Sequence, residues 1–179
     1  NAPRFTLLFR GLSQAPQNSL QHPAFSMRAC GMIKNIEVRA PRSHLNIYRD
    51  ALTGVRFADT KYVALVEDDV LYSPEHFKHR RSPGKFAYNL GFWGLYTWSE
   101  PAIFSWKGRR NLCNLICERD LFIEAMEERF AKHGDDVDLS IWAEPGKYEK
   151  HLGVTPRESE TFWTGSSPSS EMGQPQRFR

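Results

Sequence analysis

No apolar run in this chain approaches the roughly 20 residues that a membrane-spanning helix needs, so the sequence argues against a transmembrane segment. No signal peptide is visible, and the expected location is cytoplasmic. Cysteine is scarce: Cys30, Cys113 and Cys117 are the whole set. An odd, sparse set argues against a disulfide framework and suits free thiols in a reducing compartment. Cys113 and Cys117 stand four residues apart, not at the two-residue spacing of common zinc pairs, and read as small buried side chains. A block of one charge is missing as well. The net charge is +3 and the basic residues are scattered, which argues against nucleic acid as a partner. There is no internal repeat. The start, Asn1-Ala2-Pro3, lacks an initiator Met and reads either as the scar of a cleaved tag or as part of a longer chain.

What is present is an ordinary globular composition: 179 residues, 40% hydrophobic and 25% charged, enough for one domain with a real core. The pattern predicts a strand at Phe5–Gly11, a short helix over Pro23–Cys30 and a strand at Lys34–Pro41. Tyr48, Ala51, Leu52 and Val55 then form one apolar stripe at i, i+3, i+4 and i+7, with Ser43 as N-cap. The strand YVALV follows. Strand, helix and strand at this spacing predict βαβ units and a parallel sheet. Phe86–Trp98 reads as strand, turn and strand, and Asn111–Cys117 as another strand. Arg119–Lys132 reads as a helix with Phe122, Ala125, Met126 and Phe130 inward, stopped by Gly134. The expected domain runs over residues 3–154, and the Ser/Pro-rich stretch 155–179 reads as loop or tail.

The unusual feature is YVALVEDDVLYSPEHF, in which an apolar strand runs straight into Glu67, Asp68 and Asp69. Adjacent carboxylates repel, and burying them unpaired is expensive. Either they splay into water at a turn and pair with nearby Lys and Arg, or a cation sits among them. In open α/β sheets ligands gather beyond the carboxyl ends of the strands, where these acids fall. Alternation sends Glu67 and Asp69 one way and Asp68 the other. Converging carboxylates suit a hard divalent ion, Mg²⁺ or Mn²⁺.

The EDD run after SHLNIYRDALTGVRFADTKYVALV resembles the DxD region of GT-A glycosyltransferases, in particular family 2-like members. NLCNLICERDLFIEAMEERF resembles their acceptor-side strand and helix, and HGDDVDLSIW the acidic stretch that supplies the base in inverting members. In family order these motifs span Phe5 to Trp142. The chain departs from the pattern in having Glu rather than Asp at the first acidic position, and in being short for a complete transferase.

The resemblance implies a Rossmann-type αβα sandwich with a mixed, mostly parallel sheet. It implies metal-dependent transfer of a sugar from a nucleotide-diphosphate donor to an acceptor hydroxyl, whether on a glycan, lipid, protein or small molecule. Mn²⁺ or Mg²⁺ would be held by Glu67 and Asp69. Asp68 and Arg49 would meet the nucleotide-sugar, and Tyr88, Asn89 and Trp93 the substrate. Asp136 or Asp135 would be the base, although either would equally serve as a helix N-cap. His76 and His79, around Lys78, have helix-turn spacing that a metal pair could also use.

Two other classes stay open. One is a non-catalytic sugar- or protein-binding module on the same scaffold. The other is a nucleotidyltransferase, against which stands the single Gly of FRGLSQAPQNS where a Gly-rich phosphate loop is expected.

Overall fold

The computed structural model describes residues 43–67, 70–96, 98–134 and 142–164, together with the backbone of 5–10, 24–25 and 36–37. The main sheet has five strands: β1 (Phe5–Arg10), β4 (Tyr62–Glu67), β5 (Phe86–Asn89), β8 (Leu115–Glu118) and β9 (Ser159–Phe162). Their spatial order is β1-β4-β8-β5-β9. β1 and β4 are parallel, as are β5 and β9, while β8 is antiparallel to both β4 and β5. Four strands therefore run one way and β8, in the middle, runs the other. The fold is mixed α/β.

Helix α1 (His44–Arg56) precedes β4. Ser43 caps it in extended geometry, its Oγ accepting the Asn46 N–H at 3.1 Å. The expected stripe is buried, and Leu45 joins it. Helix α2 (Arg119–His133) packs against α1 and ends at Gly134, whose φ of 57° is natural for glycine. α3 (Glu149–Leu152) is a single turn.

Strand periodicity divides the core. Val63, Leu65, Phe86, Tyr88, Leu115 and Cys117 face α1 and α2. Ala64, Ala87, Ile116 and Phe162 face the other way, against Phe77. The small Ala64 and Ala87 let the segment after β4, which includes a 3₁₀ turn at His76–Lys78, lie close over that second face. His79 stacks on Phe162 with ring centroids 3.7 Å apart, and the Arg81 guanidinium lies 3.1 Å from the Tyr62 ring centroid. Because both faces are covered, the strands read as near-continuous apolar runs.

Several expectations change. Ala24–Phe25, expected in a helix, is a short strand (β2) paired antiparallel with Ile36–Glu37 (β3), all that is described as strand in the segment expected from Lys34 to Pro41. Partner pairing overrides local propensity here. Residues 112–114 form a 3₁₀ turn before β8, because Asn111 and Asn114 cap one another; the Asn111 N–H reaches Asn114 Oδ1 at 3.0 Å. β6 (Trp93–Tyr96) does not pair with β5. It forms a separate ribbon with β7 (Ile103–Trp106). The stretch expected to be a tail from Thr155 contains β9, which pairs with β5 inside the main sheet, so the domain continues past 154. Cys113 and Cys117 are buried, as expected. Among the described residues no helix is long and apolar enough to cross a membrane.

Candidate functional site

β4, β5 and β9 run parallel and end at Glu67, Asn89 and Phe162. β8 runs the other way, so the turn at 112–114 that precedes it lies at the same edge. Strand polarity thus gathers residues from four distant stretches at the carboxyl edge of the sheet, where open α/β folds bind ligands. A cavity of about 170 Å³ opens there, lined among others by Val70, Tyr72, His76, Asn89, Phe92, Asn114 and Thr164.

Hydrogen bonds fix its walls. The Tyr72 hydroxyl accepts the Glu67 N–H at 3.0 Å and donates to the Cys113 carbonyl at 2.7 Å, tying the end of β4 to the turn before β8. Asn89 is held at both amide atoms: Oδ1 accepts the Gly91 N–H at 2.9 Å, while Nδ2 donates to Thr164 Oγ1 and, at 3.1 Å, to His76 Nδ1. Since Nδ2 only donates, His76 Nδ1 must accept, and the hydrogen of the neutral ring sits on Nε2. That Nε2 is buried with no hydrogen-bond partner. Burial, followed by the neighbouring His79, pushes the His76 pKa down to about 4.

This carries a pH prediction. Unfolded, the imidazole takes up its proton near pH 6.5; folded, only near pH 4. Below pH 6.5 the unfolded chain binds more protons, so stability falls as pH drops from 6.5 towards 4. The loss should be on the order of 2–3 kcal/mol, because protonation puts a charge on a buried ring beside His79. Urea unfolding at a series of pH values should show this slope, and His76→Gln should flatten it. Glu128 acts lower. Hydrogen bonds from Thr155 and Arg157 hold its carboxyl down to about 2, so its contribution is lost only as pH falls below 4.5.

The sequence-predicted residues separate. Glu67 is half-buried at the end of β4, in register with Arg10 of β1. Asn89 lines the cavity. Tyr88, one residue earlier, points to the opposite face: it is fully buried in the helix-side core and its hydroxyl donates to the Pro145 carbonyl. It cannot meet a substrate without unpacking the core, which corrects its assignment. Trp93 lies on the β6–β7 ribbon opposite Trp106 and is not part of the cavity lining. Arg49 lies elsewhere, in a groove of about 370 Å³ between α1 and α2 with Arg56, Glu127 and Phe130. Its Nη1 donates to Asn46 Oδ1 at 3.1 Å, and it does not line the cavity at the carboxyl edge. Asp68, Asp69, Asp135 and Asp136 lie outside the described residues. Among the described residues no cluster of three His, Cys, Asp or Glu side chains is arranged to hold a metal. His76 and His79 are not a metal pair: one binds Asn89, and the other stacks on Phe162 with Nε2 3.7 Å from Glu160.

The residues that sequence reasoning missed are Tyr72, Asn114 and Thr164. Tyr72 and Asn114 lie next to recognised motifs, but no local pattern marks them. Thr164 lies in a stretch whose Ser/Pro/Gly composition resembles a tail. Compared with family models, curated proteins and solved structures, the chain matches none.

Proposed function

We propose that the chain is a metal-dependent glycosyltransferase that moves a sugar from a nucleotide-diphosphate donor to an acceptor hydroxyl, with inversion. One observation carries this reading. The strand that runs into the EDD sequence is an interior strand of a mixed sheet, and it ends beside a cavity lined by polar groups from four separate stretches. Glu67 and Val70 flank Asp68 and Asp69 in sequence, and both flanking residues are at that edge. Four strands in one direction around a single reversed strand also agree with the mixed, mostly parallel sheet that a GT-A fold implies.

Three consecutive carboxylates are a donor set of hard oxygens, which suits Mn²⁺ or Mg²⁺ and excludes a thiolate-preferring ion. Glu67 and Asp69 would hold the ion, and when bound it supplies positive charge to the diphosphate leaving group. Asp68 would accept hydrogen bonds from donor hydroxyls. Asp136, with Asp135 beside it, would take the proton of the acceptor hydroxyl as its oxygen attacks the anomeric carbon. The bond to the diphosphate oxygen breaks, and the nucleoside diphosphate leaves with the electron pair.

The segment carrying these aspartates is bracketed by two anchored residues, Gly134 at the end of α2 and the buried Trp142. Incubation with UDP- and GDP-sugars plus Mn²⁺ should release nucleoside diphosphate, slowly to water and faster with an acceptor. A chelator should stop the release and excess Mn²⁺ restore it. Release indifferent to the chelator would overturn the metal role. Donor binding without any release across acceptor classes would favour the non-catalytic module.

A further inference from the structure

Two stacked tryptophans adjoin residues of the cavity wall. Trp106 and Trp163 stack with ring centroids 5.4 Å apart and planes 30° apart, and they are 52% and 57% exposed. The stack is tied to the cavity wall from both sides. Trp106 Nε1–H donates at 2.8 Å to the carbonyl of Leu90, the residue between the cavity-lining Asn89 and Gly91. Trp163 directly precedes Thr164, which accepts the Asn89 hydrogen bond.

Within the cavity, neutral hydrogen-bonding groups retain capacity, His76 and Thr164 among them. His76 is 1% exposed, and its Nε2–H is without a partner. Thr164 Oγ1 is used as an acceptor by Asn89, so its own hydrogen remains to be donated. An unpaired buried donor costs on the order of 1–3 kcal/mol and persists where something else satisfies it.

We propose that this cavity and the adjoining Trp106–Trp163 stack form a carbohydrate-binding cleft that takes a neutral pyranoside. One sugar ring would lie on the exposed indole surface, and its hydroxyls would reach His76 Nε2–H and the Thr164 hydroxyl. A pyranose combines the two surfaces the cleft offers. Its axial C–H bonds make an apolar face suited to the electron-rich indole, and its hydroxyl oxygens accept from neutral donors. The uncharged His76 ring offers an anionic ligand no counter-charge. On the transferase reading this cleft is the acceptor subsite, which names the acceptor as a glycan or glycoside; the carbohydrate site itself does not depend on that reading.

The test uses the full chain without nucleotide or metal. Methyl pyranosides of glucose, galactose and mannose, and the disaccharides cellobiose, maltose and chitobiose, are titrated while tryptophan fluorescence and ligand saturation-transfer signals are followed. At least one should give a saturable response. Trp163→Ala should weaken it by about tenfold or more with an unchanged unfolding midpoint, and Trp163→Phe should retain most of it. Trp163→Ala avoids the Leu90 hydrogen bond that Trp106 makes, so folding and binding stay separable.

The proposal fails if no saccharide responds. It fails if the response is the same in Trp163→Ala, or if uridine or guanosine competes for the same indoles. It also fails if Trp163→Ala instead dissociates an oligomer in sedimentation. Saccharide binding with no donor binding would remove glycosyl transfer and leave the carbohydrate cleft. Donor binding without saccharide binding would do the reverse.

Discussion

Arg129→Ala is expected to cost about 3–5 kcal/mol of stability, a large share of the roughly 5–15 kcal/mol that holds a domain together. The Arg129 side chain is completely buried and carries a charge into the core. It is tolerated because the guanidinium has several partners. It donates to Glu149 Oε1 at 2.9 Å, to the Lys147 carbonyl at 3.1 Å, to the Glu144 carbonyl at 3.4 Å, and to the Ala143 carbonyl. Glu149 is itself buried and also accepts the Gly146 N–H.

Truncation leaves a buried carboxylate without its counter-charge and takes a donor from the Ala143 and Lys147 carbonyls, so the loss exceeds that of an ordinary cavity. Arg129→Lys keeps the charge but loses the fork, and should fall between wild type and alanine. A double substitution of Arg129 and Glu149 by apolar residues should recover only part of the loss, because the carbonyls stay unpaired. Urea unfolding should show a lower midpoint with an unchanged slope. A loss under about 1 kcal/mol would contradict the claim that this pair fastens residues 142–153 to α2.

Arg129 also shows how far the sequence can be read. Phe122, Ala125, Met126 and position 129 follow i, i+3, i+4 and i+7, so the spacing marks 129 as a core position. The residue type hides it, because an arginine reads as solvent-facing and Phe130 draws the apolar stripe away. α1 was legible down to its cap, since its apolar spacing and Ser43 agree with the tertiary packing. β4 and β8 were legible because both of their faces are buried. β7 and β9 were not. β7 is four residues of an exposed ribbon, and Ser159-Glu160-Thr161-Phe162 becomes a strand only through its pairing with β5.

The site divides in the same way. The acids at the end of β4 stand out in the sequence, but which of Tyr88 and Asn89 turns to the cavity depends on the strand's phase relative to the helices. Alternation allows either phase, and only packing decides it.

On the proposed transferase function, the EDD sequence would hold a donor-binding metal at the carboxyl edge. Its expected consequence is large. UDP- or GDP-sugar binding should require Mn²⁺ or Mg²⁺, and Asp69→Ala should weaken it by about a hundredfold or more, since a charged ligand on a divalent ion is worth several kcal/mol. Glu67 belongs to β4, where substitution would also disturb the sheet. An unchanged unfolding midpoint would separate lost binding from lost folding. Asn89→Ala, by contrast, should leave donor binding largely intact and perturb the neighbouring cavity.

The most direct measurement is isothermal titration of nucleotide-sugars into wild type and Asp69→Ala, each with and without Mn²⁺. Heat is expected only for wild type with metal. Equal binding in Asp69→Ala, or binding indifferent to the metal, would contradict the metal role.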